Sequence, residues 1–534
     1  MTLHSFVQIT TRKRALCVVL VLFMLSILIR LPNLNRAVSK HYEFNTAVVM
    51  INIISWRQAG GGDKFHYTPV MNFQHPGDKL PPNNLFVDKN GNTVYLSYGP
   101  GWYVIPYFFY QLLNLPAVPI YLEILNLVFH VISVSLFFFL LEQLIPSGEP
   151  RRYSIIMAGC IFMTFSPGIL WFLGNGYINI GIMLPFDIGV FLLVLPMLND
   201  SAKISASRLV PLGILNVVLI YIDWYILFFS LLTSIVALFK FRLDKKYGWL
   251  LFVLILSVAS GIVLVFIQFA SYMGQEAVAG YWFHRFSDRG LNLAGSSFTK
   301  KLSYLLAYFL TSYLPLIILL LISFLNGWRR KILPVWSDSE ILFLRLFTAS
   351  LLFYNFLLFD WSTDHEFAIL PWSILISFIA ARLIGSLTNK MAYRMMGFFI
   401  ILAVAQYYYI NRPGPIARDG LPYDRFKKLG ESLSHIPPDY SICINLEQNP
   451  MVEYYAGRNI LRAADSLSFI HQMDRYTRCI RADQGSRIAE FFHFAENTQF
   501  DIQPFHHYFN NPIAGGNIFH VISEIARLDS FHNH

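Results

Sequence analysis

The residues best equipped for chemistry lie in the stretch Lys40-His-Tyr-Glu-Phe-Asn-Thr46, directly after the first apolar run, Arg14 to Leu31. His41 and Glu43 stand two apart there, just outside the hydrocarbon. A carboxylate that is wet on one side and walled by membrane helices on the other suits a general base. A second acid, Asp223, interrupts an apolar run within Tyr221-Ile-Asp-Trp-Tyr225. Intramembrane acids are costly and usually functional, although a hydrogen-bonded helix end also accounts for one. Arg285 and Arg289, in Tyr281-Trp-Phe-His-Arg-Phe-Ser-Asp-Arg289, with Lys300 and Lys301 behind them, are cations suited to a departing phosphate. They equally suit lipid head groups. Asp364-His365-Glu366 is a candidate, with Glu43, to hold a divalent ion such as Mg or Mn; a cap on the run beginning at Phe367 explains it as well.

Composition says what kind of scaffold must position them. Of 534 residues, 55% are hydrophobic and 14% charged, against about 25% charged in soluble domains. The deficit fits a surface facing lipid, and the 48 Phe and 29 Tyr suit membrane interfaces. The net charge of +9 does not mark a nucleic-acid binder, because the basic residues fall between apolar runs rather than in one patch. Since about 20 apolar residues cross a bilayer, candidate spans are 14–31, 117–141, 153–172, 178–198, 249–270, 302–325, 341–359, 367–385 and 395–410. The run 209–240 would make a helix of about 48 Å against a core of about 30 Å. Asp223 near its middle would cost about 3 kcal/mol at the bilayer centre. Two short helices meeting at Asp223 are therefore expected, and about eleven spans in all.

That count places Arg151, Arg152, Lys203, Arg208, Lys240, Arg242, Lys245, Lys246, Arg329, Arg330, Lys331, Arg382, Lys390 and Arg394 on one side. The positive-inside rule then puts the N-terminus in the cytoplasm and the C-terminus outside. Arg12-Lys13-Arg14 and its apolar run are followed by Arg30-Leu31-Pro32-Asn33 rather than a small-residue cleavage site, so an uncleaved first span is expected.

The acids and histidines gather on the outer side. Within the first outside loop, 32–116, Glu43 to Gln58 predicts a helix lying on the membrane surface. Phe44, Ala47, Val48, Ile51, Ile54 and Ser55 approximate its one apolar face. Gly60-Gly61-Gly62 stops it, Asp88-Lys-Asn-Gly-Asn92 signals a turn, and Trp102 to Leu113 is a second interfacial piece. Asp187, inside a span, either lines a lipid groove or pairs with a neighbour. After Arg412-Pro-Gly-Pro415 the character changes: alternation in Tyr440 to Leu446 and a helical Asn449 to Ala456 predict a small α/β domain over 412–534, following a membrane domain over 1–411. Gly457 ends that helix within Tyr454-Tyr-Ala-Gly-Arg458, read as a docking motif. Cys443 and Cys479 share this outside domain and are expected within disulfide reach.

No Walker loop, Gly-x-Ser-x-Gly or His-Glu-x-x-His is present. The order of features instead resembles the GT-C superfamily of glycosyltransferases, near glycosyltransferase family 39 and the bacterial aminoarabinose transferases. The likeness runs over the whole plan: a first span ending in Arg-Leu-Pro, then His41-Tyr-Glu43-Phe, then a long loop closing on Tyr95-Leu-Ser-Tyr-Gly-Pro-Gly-Trp-Tyr103. It continues with Tyr221 to Tyr225 at a break between short helices and a tail carrying Tyr454 to Arg458. The resemblance implies a polytopic helical bundle that transfers a sugar from a polyprenyl-phosphate donor to a lipid, polysaccharide or protein acceptor on the outer face of a bacterial inner membrane. It also implies that a first-loop acid deprotonates the acceptor or binds a metal. Many members have adjacent acids there; here Glu43 is alone and His41 is placed to share its task. A flippase of lipid-linked sugars would want breaks at matching places in two halves, and only one broken helix is seen. A polysaccharide polymerase or ligase would carry its long loop late, whereas here it comes first. A non-enzymatic assembly protein with a sensing tail is the remaining alternative.

Overall fold

The computed structural model describes residues 11–39, 42–80, 83, 85–199, 204–290, 298–331, 333–416, 422–434, 438, 442–444, 450–462 and 490–492. It is mainly helical. In chain order, α1 (Arg12–Arg30) enters the first loop, which holds α2 (Phe44–Gln58) and α3 (Gly101–Leu112). Then come α4 (Ile120–Leu144), α5 (Arg152–Phe165), α6 (Pro167–Phe172), α7 (Asn179–Leu198), α8 (Ala206–Ile222), α9 (Tyr225–Leu243), α10 (Tyr247–Met273) and α11 (Gln275–Arg289). They are followed by α12 (Phe298–Arg330), α13 (Asp338–Leu357), α14 (Phe359–Asp364), α15 (Trp372–Gly385) and α16 (Asn389–Ile410).

Among the described residues, seven helices are long and apolar enough to cross a membrane; Arg152–Phe165, Ala206–Ile222 and Trp372–Gly385 are apolar but shorter. The chain is a multi-pass integral membrane protein. Every run proposed as a span from the sequence holds an α-helix over most of its length, although in 367–385 the helix begins only at Trp372. The expected break stands at Asp223, where extended backbone separates α8 from α9. The run 153–172 is also broken, because Ser166 leaves the helix before Pro167 and α6 starts anew. Burial sorts the helices into inner and outer. The apolar window of Asn179–Leu198 is 72% buried against 28% for Tyr247–Met273, so α7 is central and α10 faces lipid along most of its length.

The Arg30-Leu-Pro-Asn33 sequence pins the C-terminal end of α1. Arg30 is fully buried; its Nε donates to Leu170 O at 2.8 Å, Nη1 to Ser26 Oγ at 3.2 Å and Nη2 to His130 Nδ1 at 2.9 Å. Asn33 Nδ2 donates to Tyr407 OH and Asn411 O at 3.2 and 3.1 Å. A buried guanidinium whose donors are met in this way fixes where the chain enters the first loop.

One expectation for that loop is corrected. The helix predicted to lie on the membrane surface is α2, and it is encased in protein: Ala47, Val49, Met50, Ile53, Ser55 and Trp56 are all fully buried. Polar Asn52 and Ser55 donate to Val70 O and Asn72 O of the following loop, at 3.1 and 2.7 Å. A one-faced apolar pattern assumes one apolar neighbour; here the returning loop covers the other face. The turn at Asp88 forms as expected, with Asp88 Oδ1 accepting from Asn90 N and Asn92 N at 2.8 and 2.7 Å. Among the described residues, the tail contributes α17 (Arg425–Leu433), α18 (Pro450–Ala456) and three short strands, β1 (Ile442–Ile444), β2 (Ile460–Arg462) and β3 (Glu490–Phe492). They pair in parallel in the order β2-β1-β3. Cys479 lies outside the described residues, and the expected pairing with Cys443 with it.

Candidate active site

Two polar centres form at the end of the bundle that carries the first loop. The first surrounds Glu43, which caps α2 by position but not by side chain. It is not open to water on one side as expected, for only 3% of it is exposed. Arg36 Nη2 meets Oε1 at 3.0 Å, and Ser39 N–H donates to Oε2 at 2.9 Å. The Arg36 guanidinium lies 3.8 Å from the Tyr423 ring centroid and 5.1 Å from that of Trp171. The preceding residue, Tyr42, has φ +65°, a left-handed conformation rare for a bulky side chain and common at functional turns. Its hydroxyl donates to Asp364 O and accepts from Glu366 N–H, each at 3.1 Å. The first loop and the α14–α15 connection are thus tied at Tyr42-Glu43.

The second centre surrounds Asp223 in the gap between α8 and α9. Oδ1 accepts from Tyr225 N–H at 3.0 Å, and Asn179 Nδ2 donates to Oδ2. The end of the first loop docks onto this gap. Trp224 Nε1 donates to Ser97 O at 2.9 Å. Gly99 approaches so closely that a Cβ there would lie 2.2 Å from Tyr221 O. The two weak sequence motifs, Tyr95–Tyr103 and Tyr221–Tyr225, are therefore one structure. On the other side of the loop, α11 carries both predicted arginines one turn apart. Arg289 Nη2 donates to Tyr95 OH at 3.1 Å, and its guanidinium lies 4.9 Å from the Tyr98 ring centroid. Arg285 sits between Phe86 and Tyr281, 5.5 Å from each ring centroid, and its buried Nε makes no hydrogen bond.

An aromatic wall joins the centres. Tyr98 meets Trp361 at 6.4 Å, Trp361 stacks on His365 at 5.3 Å and 23°, and His365 meets Tyr42 at 6.3 Å. A second route runs from Thr46 Oγ1, which accepts from Tyr177 N–H at 3.0 Å, through Tyr177 OH donating to Trp102 O at 3.1 Å. Trp102 in turn meets Tyr98 at 5.4 Å. Because a carbonyl only accepts, His365 carries its proton on Nδ1, which donates to Trp361 O at 2.8 Å. Burial, followed by the charge of Arg289, pulls the His365 imidazole down to about 4.

Not every candidate joins. His41 lies outside the described residues. Lys300 is exposed in the first turn of α12, and Lys301 beside it pairs with Asp360 at 2.6 Å. Asp187 is 1% exposed with both oxygens lacking a hydrogen bond, so it neither lines a lipid groove nor pairs through one. The four candidate metal ligands do not assemble. Glu366 Oε1 accepts from Thr311 and Ser312 at 2.8 and 3.1 Å, turned toward α12, while both Glu43 oxygens are engaged by Arg36 and Ser39. Among the described residues no three His, Cys, Asp or Glu side chains come together to hold a cation. Arg36, Tyr98 and Trp361 are site residues that counting acids and histidines overlooks. A cation seven residues before Glu43 in the same loop was the available signal for Arg36, and the Tyr95–Tyr103 motif was the signal for Tyr98; for Trp361 there was none.

No family model matches the chain, and no curated protein matches it. Solved structures do. ArnT from Cupriavidus metallidurans, in a crystal structure bound to undecaprenyl phosphate, superposes with TM-score 0.56 at 11% identity over 86% of this chain and 90% of that one. The Archaeoglobus fulgidus oligosaccharyltransferase in the apo form gives 0.51 at 11% identity over 85% of this chain. AglB from the same organism, in complex with an inhibitory peptide and a dolichol-phosphate, gives 0.50 at 12% identity over 84% of this chain. This chain spans 65% and 64% of those two archaeal chains. The chain thus shares its fold with ArnT and with these two archaeal structures.

Proposed function

We propose that this protein is a membrane glycosyltransferase that moves a sugar from a polyprenyl-phosphate donor to an acceptor on the extracytoplasmic face. The observation that carries the reading is the fold shared with ArnT over nearly both whole chains. The placement of Glu43, Asp223 and Arg289 around one aromatic wall at one end of the bundle supports it. In this reading the chain crosses the membrane about eleven times, with α16 and the three shorter apolar helices joining the seven long ones, the N-terminus is cytoplasmic, and residues 412–534 form an outer domain.

Glu43 takes the proton of the acceptor hydroxyl as that oxygen attacks the anomeric carbon. The bond from that carbon to the phosphate oxygen breaks, and the lipid phosphate departs with the electron pair. Arg289 and Arg285 face its developing charge. Asp223, held by Tyr225 N–H and Asn179, is a hydrogen-bond acceptor for sugar hydroxyls. Aromatic faces such as Tyr98 and Trp361 suit the apolar faces of a sugar ring. The test is release of free polyprenyl phosphate by the purified protein given a polyprenyl-phosphate sugar and a crude envelope acceptor. A preparation that only moves the intact donor across vesicles, releasing none, would establish the flippase alternative instead.

A further inference from the structure

The tail beyond α16 does more than sit on the membrane part. Four separate contacts clamp it over the first loop. Arg458 Nε reaches Asp78 Oδ1 and Oδ2 at 3.2 and 3.3 Å, and Asn459 N–H donates to Asp78 Oδ1 at 2.9 Å. Tyr454 OH donates to Ala117 O at 3.3 Å. Tyr455 OH accepts from Val38 N–H at 2.7 Å. Tyr423 covers the Arg36 guanidinium at 3.8 Å and is itself anchored by donating to Arg412 O at 2.8 Å. Gly457, at φ +62°, turns the chain from α18 toward Arg458 and β2, a turn that a side chain would strain.

The last two of these contacts fall on the segment that holds Glu43. Residues 34–39 form no helix or strand, so their conformation depends on where their N–H groups are bound. Asn35 N–H donates to Glu123 Oε2 at 2.9 Å, Ser39 N–H to Glu43 Oε2 at 2.9 Å, and Val38 N–H to Tyr455. The Arg36 and Glu43 side chains are 12% and 4% exposed. Arg36 Nε and Nη1 are buried and make no hydrogen bond. Water is kept from this pair partly by Trp171 and partly by Tyr423, and a pair shielded from water is held in one geometry more firmly than a wet one.

We infer that the C-terminal segment completes the active site, with Tyr423 and Tyr455 acting as positioning residues that hold the Arg36–Glu43 pair in its reactive geometry. The inference rests on the transferase reading for its consequence, but not for its structural content. Tyr455→Phe removes only the hydroxyl that Val38 N–H needs, and Tyr423→Leu removes the aromatic cover while keeping an apolar side chain. Both are made in the full-length protein, beside Lys428→Ala on the exposed side of α17 as a control. Two readouts are taken: hydrogen exchange of the peptide covering 34–43, and steady-state transfer. Exchange of that peptide is expected to quicken at least fivefold in both tyrosine variants and to stay unchanged in the control. Transfer kcat should fall about tenfold with donor KM within a factor of two. Unchanged exchange overturns the inference whatever happens to kcat. Faster exchange with an unchanged kcat overturns it as well, since the clamp would then be only structural. If the wild-type protein transfers nothing, the transferase reading fails, and the exchange measurement alone still decides whether the tail holds this loop.

Discussion

Glu43→Gln is the perturbation on which the proposed mechanism depends. A glutamine fills the same space and keeps an oxygen for Ser39 N–H, but it cannot take a proton. General-base catalysis is worth about 10²- to 10⁴-fold, or roughly 2.7–5.5 kcal/mol in the barrier, and transfer should fall by that much. The buried contact with Arg36 complicates the reading. Removing one partner of a buried ion pair destabilises by about 3–5 kcal/mol in dry interiors; here Arg36 is 12% exposed and lies against two aromatic rings, and the amide oxygen still accepts, so about 1–3 kcal/mol is expected. Arg36→Gln breaks the same pair and keeps the carboxylate, which makes it the matched comparison. The assay is kcat for phosphate-lipid release, with a thermal melt of each variant in the same detergent. Both variants should melt lower by similar amounts, while Glu43→Gln alone should lose at least a hundredfold in kcat. Equal losses of kcat in the two variants, tracking their melting temperatures, would assign Glu43 to structure and leave Asp223 as the candidate base.

Arg285→Gln and Arg289→Gln should each weaken binding of the free lipid phosphate about ten- to a hundredfold, since a hydrogen bond to a charged group is worth about 1.5–3 kcal/mol; calorimetry with polyprenyl phosphate in detergent checks this, and an unchanged Kd returns both arginines to lipid head-group duty. The His365 imidazole is held down at about 4 by burial, so its contribution to stability is complete above the unfolded value of 6.5 and is lost as pH falls toward 4. The loss is on the order of 3 kcal/mol, and His365→Gln should flatten that part of a melting-temperature profile; a profile identical to wild type contradicts the assignment. Gly99→Ala places a methyl 2.2 Å from Tyr221 O, where backbone must move, and should cost about 3 kcal/mol or more; a melting temperature within a degree of wild type would show that the loop does not dock on the α8–α9 gap.

The membrane class, the positions of the helices and the break at Asp223 were legible in the sequence, because each follows from a local quantity. Apolar length sets a span, and one acid in a run of 32 residues (209–240) cannot be left at the bilayer centre without cost. The acid at the head of the first loop and the arginines of α11 were legible too, since their types and their places between spans are one-dimensional facts. The surroundings of these residues were not. Glu43 was expected to be wet, but Tyr423, 380 positions later, helps to cover the arginine that binds it. The apolar face of α2 suggested a membrane surface because its second covering, the loop 68–72, follows no helical period. The candidate metal ligands come to one end of the bundle, yet Glu366 turns to Thr311 and Ser312 while Glu43 is engaged by Arg36 and Ser39. Sequence determines which residues reach one end of the bundle; which of them meet is decided by side-chain packing between segments hundreds of residues apart, and that packing is a property of the folded chain alone.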